Sequence, residues 1–173
     1  MIYRILIICL ILSTHSVYAR GVYQKPSAFI QGVFTVSPEP QVIWIKGELR
    51  SQIENILQHK YKAKRVRYWR EKNKSAWVLD EIGKKKPITV GIVIDSNKIS
   101  HLKVLAFRES RGWEVRYPFF TKQFNQLFLT KDNQLSESVD GISGATLSVR
   151  ALRKLARIAL LLNHKTQSTS PQK

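Results

Sequence analysis

Cysteine is nearly missing from this chain: Cys9 is the only one in 173 residues. That excludes a disulfide framework, a thiolate metal cluster and a C-x-x-C-H haem attachment. Acidic residues are scarce too, 12 Asp and Glu against 29 Lys and Arg, for a formal net charge of +17. Such an excess bears on partners and solubility rather than on fold. No apolar run is long enough to cross a bilayer, which takes about 20 residues. The longest runs from Ile5 to Leu12. His59, His101 and His164 are scattered, no paired carboxylates stand at metal or glycosidase spacing, and Ser143 lacks the Gly-x-Ser-x-Gly frame of a nucleophile elbow. There is no internal repeat.

The first residues have the form of an export signal. Arg4 supplies the positive start, the apolar run follows, and Val17-Tyr18-Ala19 ends it with small residues at the cleavage positions. Residues 1–19 are therefore expected to be removed near Ala19, taking Cys9 with them, and the mature protein is expected in the periplasm. Export removes nucleic acid from the list of partners for so basic a chain. An anionic membrane surface, touched peripherally, and an acidic protein remain.

Pattern along the chain predicts an α+β protein, a mainly antiparallel twisted sheet with packed helices. Residues 20–40, with Pro26, Pro38 and Pro40, read as an irregular lead-in. Val42–Ile45 reads as a strand and Glu48–Tyr61 as an amphipathic helix. Arg65–Arg70 and Ser75–Leu79 read as a hairpin around 71–74, with Trp69 and Trp77 packing together or against the later sheet. Gly83–Pro87 reads as a solvated connection. Ile88–Ile94 and Ile99–Phe107, joined by Asp95-Ser96-Asn97-Lys98, form the strongest hairpin signal. Leu127–Leu129 is a further short strand candidate. A helix is expected over 146–163, and 164–173 as a disordered tail.

One stretch carries chemistry. Asp140-Gly141-Ile142-Ser143-Gly144-Ala145-Thr146 directly precedes the last helix. Gly144 and Ala145 keep bulk low beside the Thr146 hydroxyl, and Gly141 permits an unusual dihedral. Ser143 is placed to cap the helix through the Thr146 amide. A helix start favours a phosphate there, and Arg150, one turn on, adds positive charge. Asp140 would brace the turn or serve a modifying enzyme. An ordinary capped helix after a glycine-rich turn explains the same residues without a ligand.

The string D-x-x-[ST]-G-A-T resembles the flavinylation site of the FMN-binding domain family, which includes the FMN-bearing subunits of sodium-pumping NADH:quinone reductase and Rnf complexes. The resemblance covers about Pro87 to Asn163, giving an FMN-binding domain at 87–163 with residues 20–86 as an N-terminal extension. It implies that Thr146 carries FMN as a phosphoester, donated from FAD by a flavin transferase with magnesium. It also implies an exported electron carrier with a redox partner protein, rather than a stand-alone catalyst. In the family a loop with a glutamate and a glycine lies near the isoalloxazine; here Glu109 and Gly112 hold those places, with Ser110-Arg111 where the common form has Thr-Pro. Trp113 or Tyr117 would then be the aromatic placed to stack on the ring. The competing expectation is a non-redox basic module for an anionic membrane surface or an acidic protein partner.

Overall fold

The computed structural model describes residues 21–168; the expected signal segment and residues 169–173 lie outside the described residues. Six strands make one sheet: β1 (Gly21–Val22), β2 (Gln41–Trp44), β3 (Arg65–Glu71), β4 (Lys74–Ile82), β5 (Pro87–Asp95) and β6 (Lys98–Phe107). Their order is β1-β6-β5-β4-β3-β2, and every neighbouring pair is antiparallel. The helices are α1 (Pro26–Val33), α2 (Gly47–Leu57), the single turn α3 (Pro118–Thr121) and α4 (Thr146–Ser168). The α+β expectation holds, with the sheet antiparallel throughout.

β5 explains why the centre of the sheet is so apolar. Seven consecutive residues, Ile88 to Ile94, are buried. A strand covered on one face only would alternate; this one is covered on both. The larger core cluster joins α4 and α2 to one face through Trp77, Ile92 and Leu155. The smaller joins α1 to the other face through Phe29, Ile30, Val93 and Leu105. Gly91 makes the second contact possible, since a Cβ there would stand 2.6 Å from the Phe29 ring. Between β5 and β6 the turn residues Ser96 and Asn97 both have positive φ, 49° and 66°, the two-residue geometry that matches strand twist.

Several expectations need correction. Residues 20–40 contain β1 and α1, not a lead-in without structure. Pro26 stands in the first turn of α1, where a missing N–H costs nothing. α2 stops at Leu57, four residues early, because Gln58 turns left-handed (φ 61°) and its N–H returns to Glu54 C=O. The following segment is pinned instead by Arg50, whose guanidinium donates to the carbonyls of Ile45 (2.8 Å), Ala63 (3.1 Å) and Tyr61. Of the two placements expected for Trp69 and Trp77, packing together fails and packing against the later sheet holds, Trp77 with Ile92 and Trp69 against the Val93–Leu105 cluster. Strand alternation sends them to opposite faces, and Trp77 stacks on Tyr68 with ring centroids 4.8 Å apart. Leu127–Leu129 makes only an isolated bridge, Leu129 to Leu135.

α4 also runs five residues past its expected end. Asn163 is 1 % exposed and closes a buried polar network. Its Oδ1 accepts from Ser75 Oγ (2.8 Å) and Arg70 (2.8 Å), its Nδ2 donates to Asn97 Oδ1 (3.0 Å), and the Trp77 indole donates to Ser75 Oγ (2.9 Å). Thr166, also buried, accepts from the same Arg70. These bonds tie the last turns of α4 to β3 and β4, so residues 164–168 are helix rather than tail.

Candidate functional site

Just ahead of α4, Ile142 to Ala145 form a tight turn, not a side-chain cap. The Ala145 N–H donates to Ile142 C=O at 3.0 Å. Gly144, the third residue of that turn, has φ +78°, which a type II turn requires and a Cβ would resist. Ser143 is therefore an exposed turn residue two positions before the helix boundary, and its hydroxyl makes no bond to the Thr146 amide. Ala145, buried, is the residue that precedes the helix. Its carbonyl accepts the first intrahelical bond, from Val149 at 3.0 Å. The N–H groups of Thr146, Leu147 and Ser148 have no partner inside the helix. Thr146 itself is exposed.

A cavity of about 590 Å³ opens beside this helix start. Gly144, Ala145 and Thr146 line one side, and Glu109, Ser110 and Arg111 line the other, with Lys84 between them. The two sides meet because Gly112, at φ +81°, packs directly on Ala145 and Ser148. The 108–112 loop is held in turn by Glu109. Its carboxylate Oε1 accepts the backbone N–H groups of Lys84, Lys85 and Lys86, the last at 2.8 Å. Burial pushes this carboxyl up, but the three donors and the Lys84 charge outweigh it and hold it below the usual carboxylate range.

The other expected residues are placed less centrally. Asp140 is exposed, and its backbone N–H donates to Gln123 Oε1 at 2.7 Å. Gly141 is exposed on the same turn. Arg150 lines a neighbouring cavity, not the one beside Thr146. Trp113 and Tyr117 meet edge to face at 5.5 Å, and the Arg116 guanidinium lies over both rings and over Tyr23. Neither aromatic lines the Thr146 cavity. Lys84, Ser110, Arg111, Leu147 and Ser148 do line it and were not among the expected site residues. The Lys84–Lys86 run reads as a solvated loop because its structural work is done by backbone N–H groups, which no side-chain pattern reveals.

The family model for the FMN-binding domain matches residues 83–161. An FMN-binding domain occupies roughly the C-terminal half of this chain. No curated protein matches the chain in sequence. The matched span of the FMN-binding domain supplies β5, β6 and α4, and the sheet is completed from outside it: β4 pairs with β5 over nine positions from Lys74 to Ile82. Among the described residues no helix is long and apolar enough to cross a membrane, and no group of His, Cys, Asp and Glu could hold a metal ion.

The residues beside Thr146 fit a phosphate-bearing cofactor. An exposed hydroxyl, three N–H groups at the start of a long helix, and the side chains of Lys84 and Arg111 surround an open volume within the range of small-molecule sites.

Proposed function

We propose that the protein is an exported electron-transfer flavoprotein carrying FMN covalently on Thr146. The observation that carries this reading is the exposed Thr146 hydroxyl at the mouth of α4, beside a cavity bounded by Lys84 and Arg111, inside a domain matched as FMN-binding. Attachment is a phosphoryl transfer. The Thr146 oxygen attacks the FMN-side phosphorus of FAD in the active site of a flavin transferase, with magnesium. The new O–P bond forms as the pyrophosphate bridge breaks, AMP leaves, and the hydroxyl proton passes to the transferase.

The chain's own residues then hold the product. Gly144 keeps the turn low enough for another active site to close over the threonine. The helix start and the two cations offset the charge of the phosphodiester. Glu109 keeps the 84–86 turn and the 108–112 loop in register around the cavity. The bound group supplies the redox chemistry; the protein binds and orients it. The protein is thus a carrier that meets a donor and an acceptor, and its positive charge suits an acidic redox partner or an anionic membrane surface.

Co-expression with a flavin transferase, followed by peptide mass spectrometry, tests the reading. The expected result is FMN minus water on the peptide containing Thr146, together with flavin fluorescence in a denaturing gel. An unmodified peptide, from cells that label another acceptor, sinks it.

A further inference from the structure

The positive charge of this chain is not spread evenly over its surface. Along α4 the cations are engaged: Arg153, Lys154 and Arg157 donate to the backbone carbonyls of Val139, Leu57 and Asn133 and so hold neighbouring segments on the helix. The β2–β3 end of the sheet differs. Between Glu54 and Glu71 the chain has six Lys and Arg and no acid. Arg65 and Arg67 of β3 are exposed, and the register pairs them with Trp44 and Val42 of the edge strand β2. Directly paired residues share a face. Trp69, two residues beyond Arg67, packs toward α1, so the shared face is the one that carries α1.

α1 leaves this end of the face open. Trp44 is 58 % and Val42 43 % exposed, and Ile82, which strand alternation from Trp77 puts on the same face, is 50 % exposed. The Arg65 guanidinium lies over the Trp44 ring at 5.9 Å. Lys46 and Lys64 line the same recess as Trp44. None of Lys46, Lys64, Arg65 and Arg67 makes a salt bridge among the described residues. Of the acids on this face, Glu71 ends β3, and Asp80 accepts from the Thr89 hydroxyl, which accepts in turn from Arg108.

Unpaired cations around an exposed Trp, Val and Ile fit a partner that is anionic and apolar at once. A bilayer surface is both: its headgroup layer favours Trp, its phosphates pair with guanidinium and ammonium groups, and its acyl boundary takes aliphatic side chains. A nucleic acid would satisfy the cations and leave Val42 and Ile82 in water. We propose that the open β2–β3 end of this face docks on an anionic phospholipid bilayer. Trp44 enters the headgroup layer with Val42 and Ile82 beside it, and the four cations meet lipid phosphates. α4 packs on the opposite face of the sheet, so docking leaves the Thr146 cavity uncovered. The contact does not require the flavin.

The test is vesicle flotation of the mature Thr146→Ala protein, begun at Arg20 so that the apolar leader cannot itself enter lipid and no flavin quenches Trp. The probes are vesicles of phosphatidylcholine mixed with phosphatidylglycerol, and vesicles of phosphatidylcholine alone. Binding is expected to the mixed vesicles and to fade as salt rises. Arg65→Gln/Arg67→Gln, at exposed positions, should weaken it roughly 30-fold. Lys122→Gln/Lys131→Gln removes equal charge elsewhere and should leave it within about twofold. Lipids with brominated acyl chains should quench the wild-type fluorescence and spare Trp44→Phe. Equal binding to both vesicle types, equal loss in the two double variants, or quenching that persists in Trp44→Phe would overturn the proposal. So would a failure to bind the mixed vesicles, which would leave this face to an acidic protein.

Discussion

Gly112 lies so close to Ser148 that an added Cβ would stand 2.7 Å from the serine Oγ and 3.2 Å from the Ala145 Cα. That contact joins the 108–112 loop to the start of α4, and so sets the width of the cavity beside Thr146. Gly112→Ala should cost about 2–5 kcal/mol, the sum of overpacking and a left-handed φ. Adding Ser148→Ala removes the clash with the serine Oγ but not the 3.2 Å approach to the Ala145 Cα, so it recovers part of the loss and leaves at least about 1 kcal/mol of backbone strain. Urea unfolding of the two variants and the wild type separates the components; full recovery in the double variant would mean that the backbone carries no strain.

Thr146 and Gly144 should separate attachment from stability. The Thr146 side chain is exposed, so Thr146→Ala is expected to leave unfolding within about 0.5 kcal/mol of wild type while abolishing the flavin adduct. Gly144→Ala keeps the hydroxyl but strains the turn at φ +78°, so it should lose about 1 kcal/mol and label more slowly. The paired readouts are urea midpoints and adduct yield by mass spectrometry. A Thr146→Ala protein that still takes up flavin on this peptide would move the attachment point to Ser143.

Legibility in the sequence followed the range of the interactions. β5, β6 and α4 could be read because their signals are local: a β-branched run, a two-residue turn and a helical stripe. α1 could not, since only Phe29, Ile30 and Phe34 of it and its exit are buried, and the hole that receives Phe29 is made by Gly91 in another strand. The end of α2 depends on Arg50 bonding to carbonyls beyond the helix, and the end of α4 on Asn163 meeting Ser75 across the core. At the site, the Asp140–Thr146 string was visible as a motif. The contribution of Lys84 was not, because Glu109 engages its backbone.

The Asn163 network should be cooperative. Asn163→Leu fits the buried volume but orphans Ser75 Oγ and one bond of Arg70. Leaving such donors without acceptors costs about 1–3 kcal/mol, more than the added apolar burial returns. Denaturant unfolding measures the loss, and hydrogen exchange should show 164–168 opening ahead of the rest of α4. Unchanged protection there would mean that the helix end is held by other contacts.

Glu109 predicts a stability change on the acid side. Its folded pKa lies below its ordinary value of 4.5. A depressed carboxyl stabilises the fold above the unfolded value, and that contribution disappears as pH falls through the folded one. Glu109→Gln keeps one carbonyl acceptor for the three N–H groups but removes the charge. It should lower stability by about 1–3 kcal/mol near neutrality, with the gap to wild type closing in acid. A gap independent of pH would assign the effect to packing alone.

His59 should act in the opposite direction and in another window. The hydrogen bond to Glu81 is the main cause that raises its pKa above 6.5, with the Lys60 carbonyl second, against some desolvation. Only the imidazolium can donate from both ring nitrogens, so the folded state favours the proton. Its contribution is therefore complete below 6.5 and fades as pH rises through the folded value. Nearly half of the ring faces solvent, so the change is modest. Glu81 keeps Lys154 when His59 is replaced, so His59→Gln orphans no buried charge. Unfolding measured on both sides of 6.5 should show wild type losing stability relative to His59→Gln as pH rises. A difference that grows with pH would place the proton on the unfolded side and break the His59–Glu81 assignment.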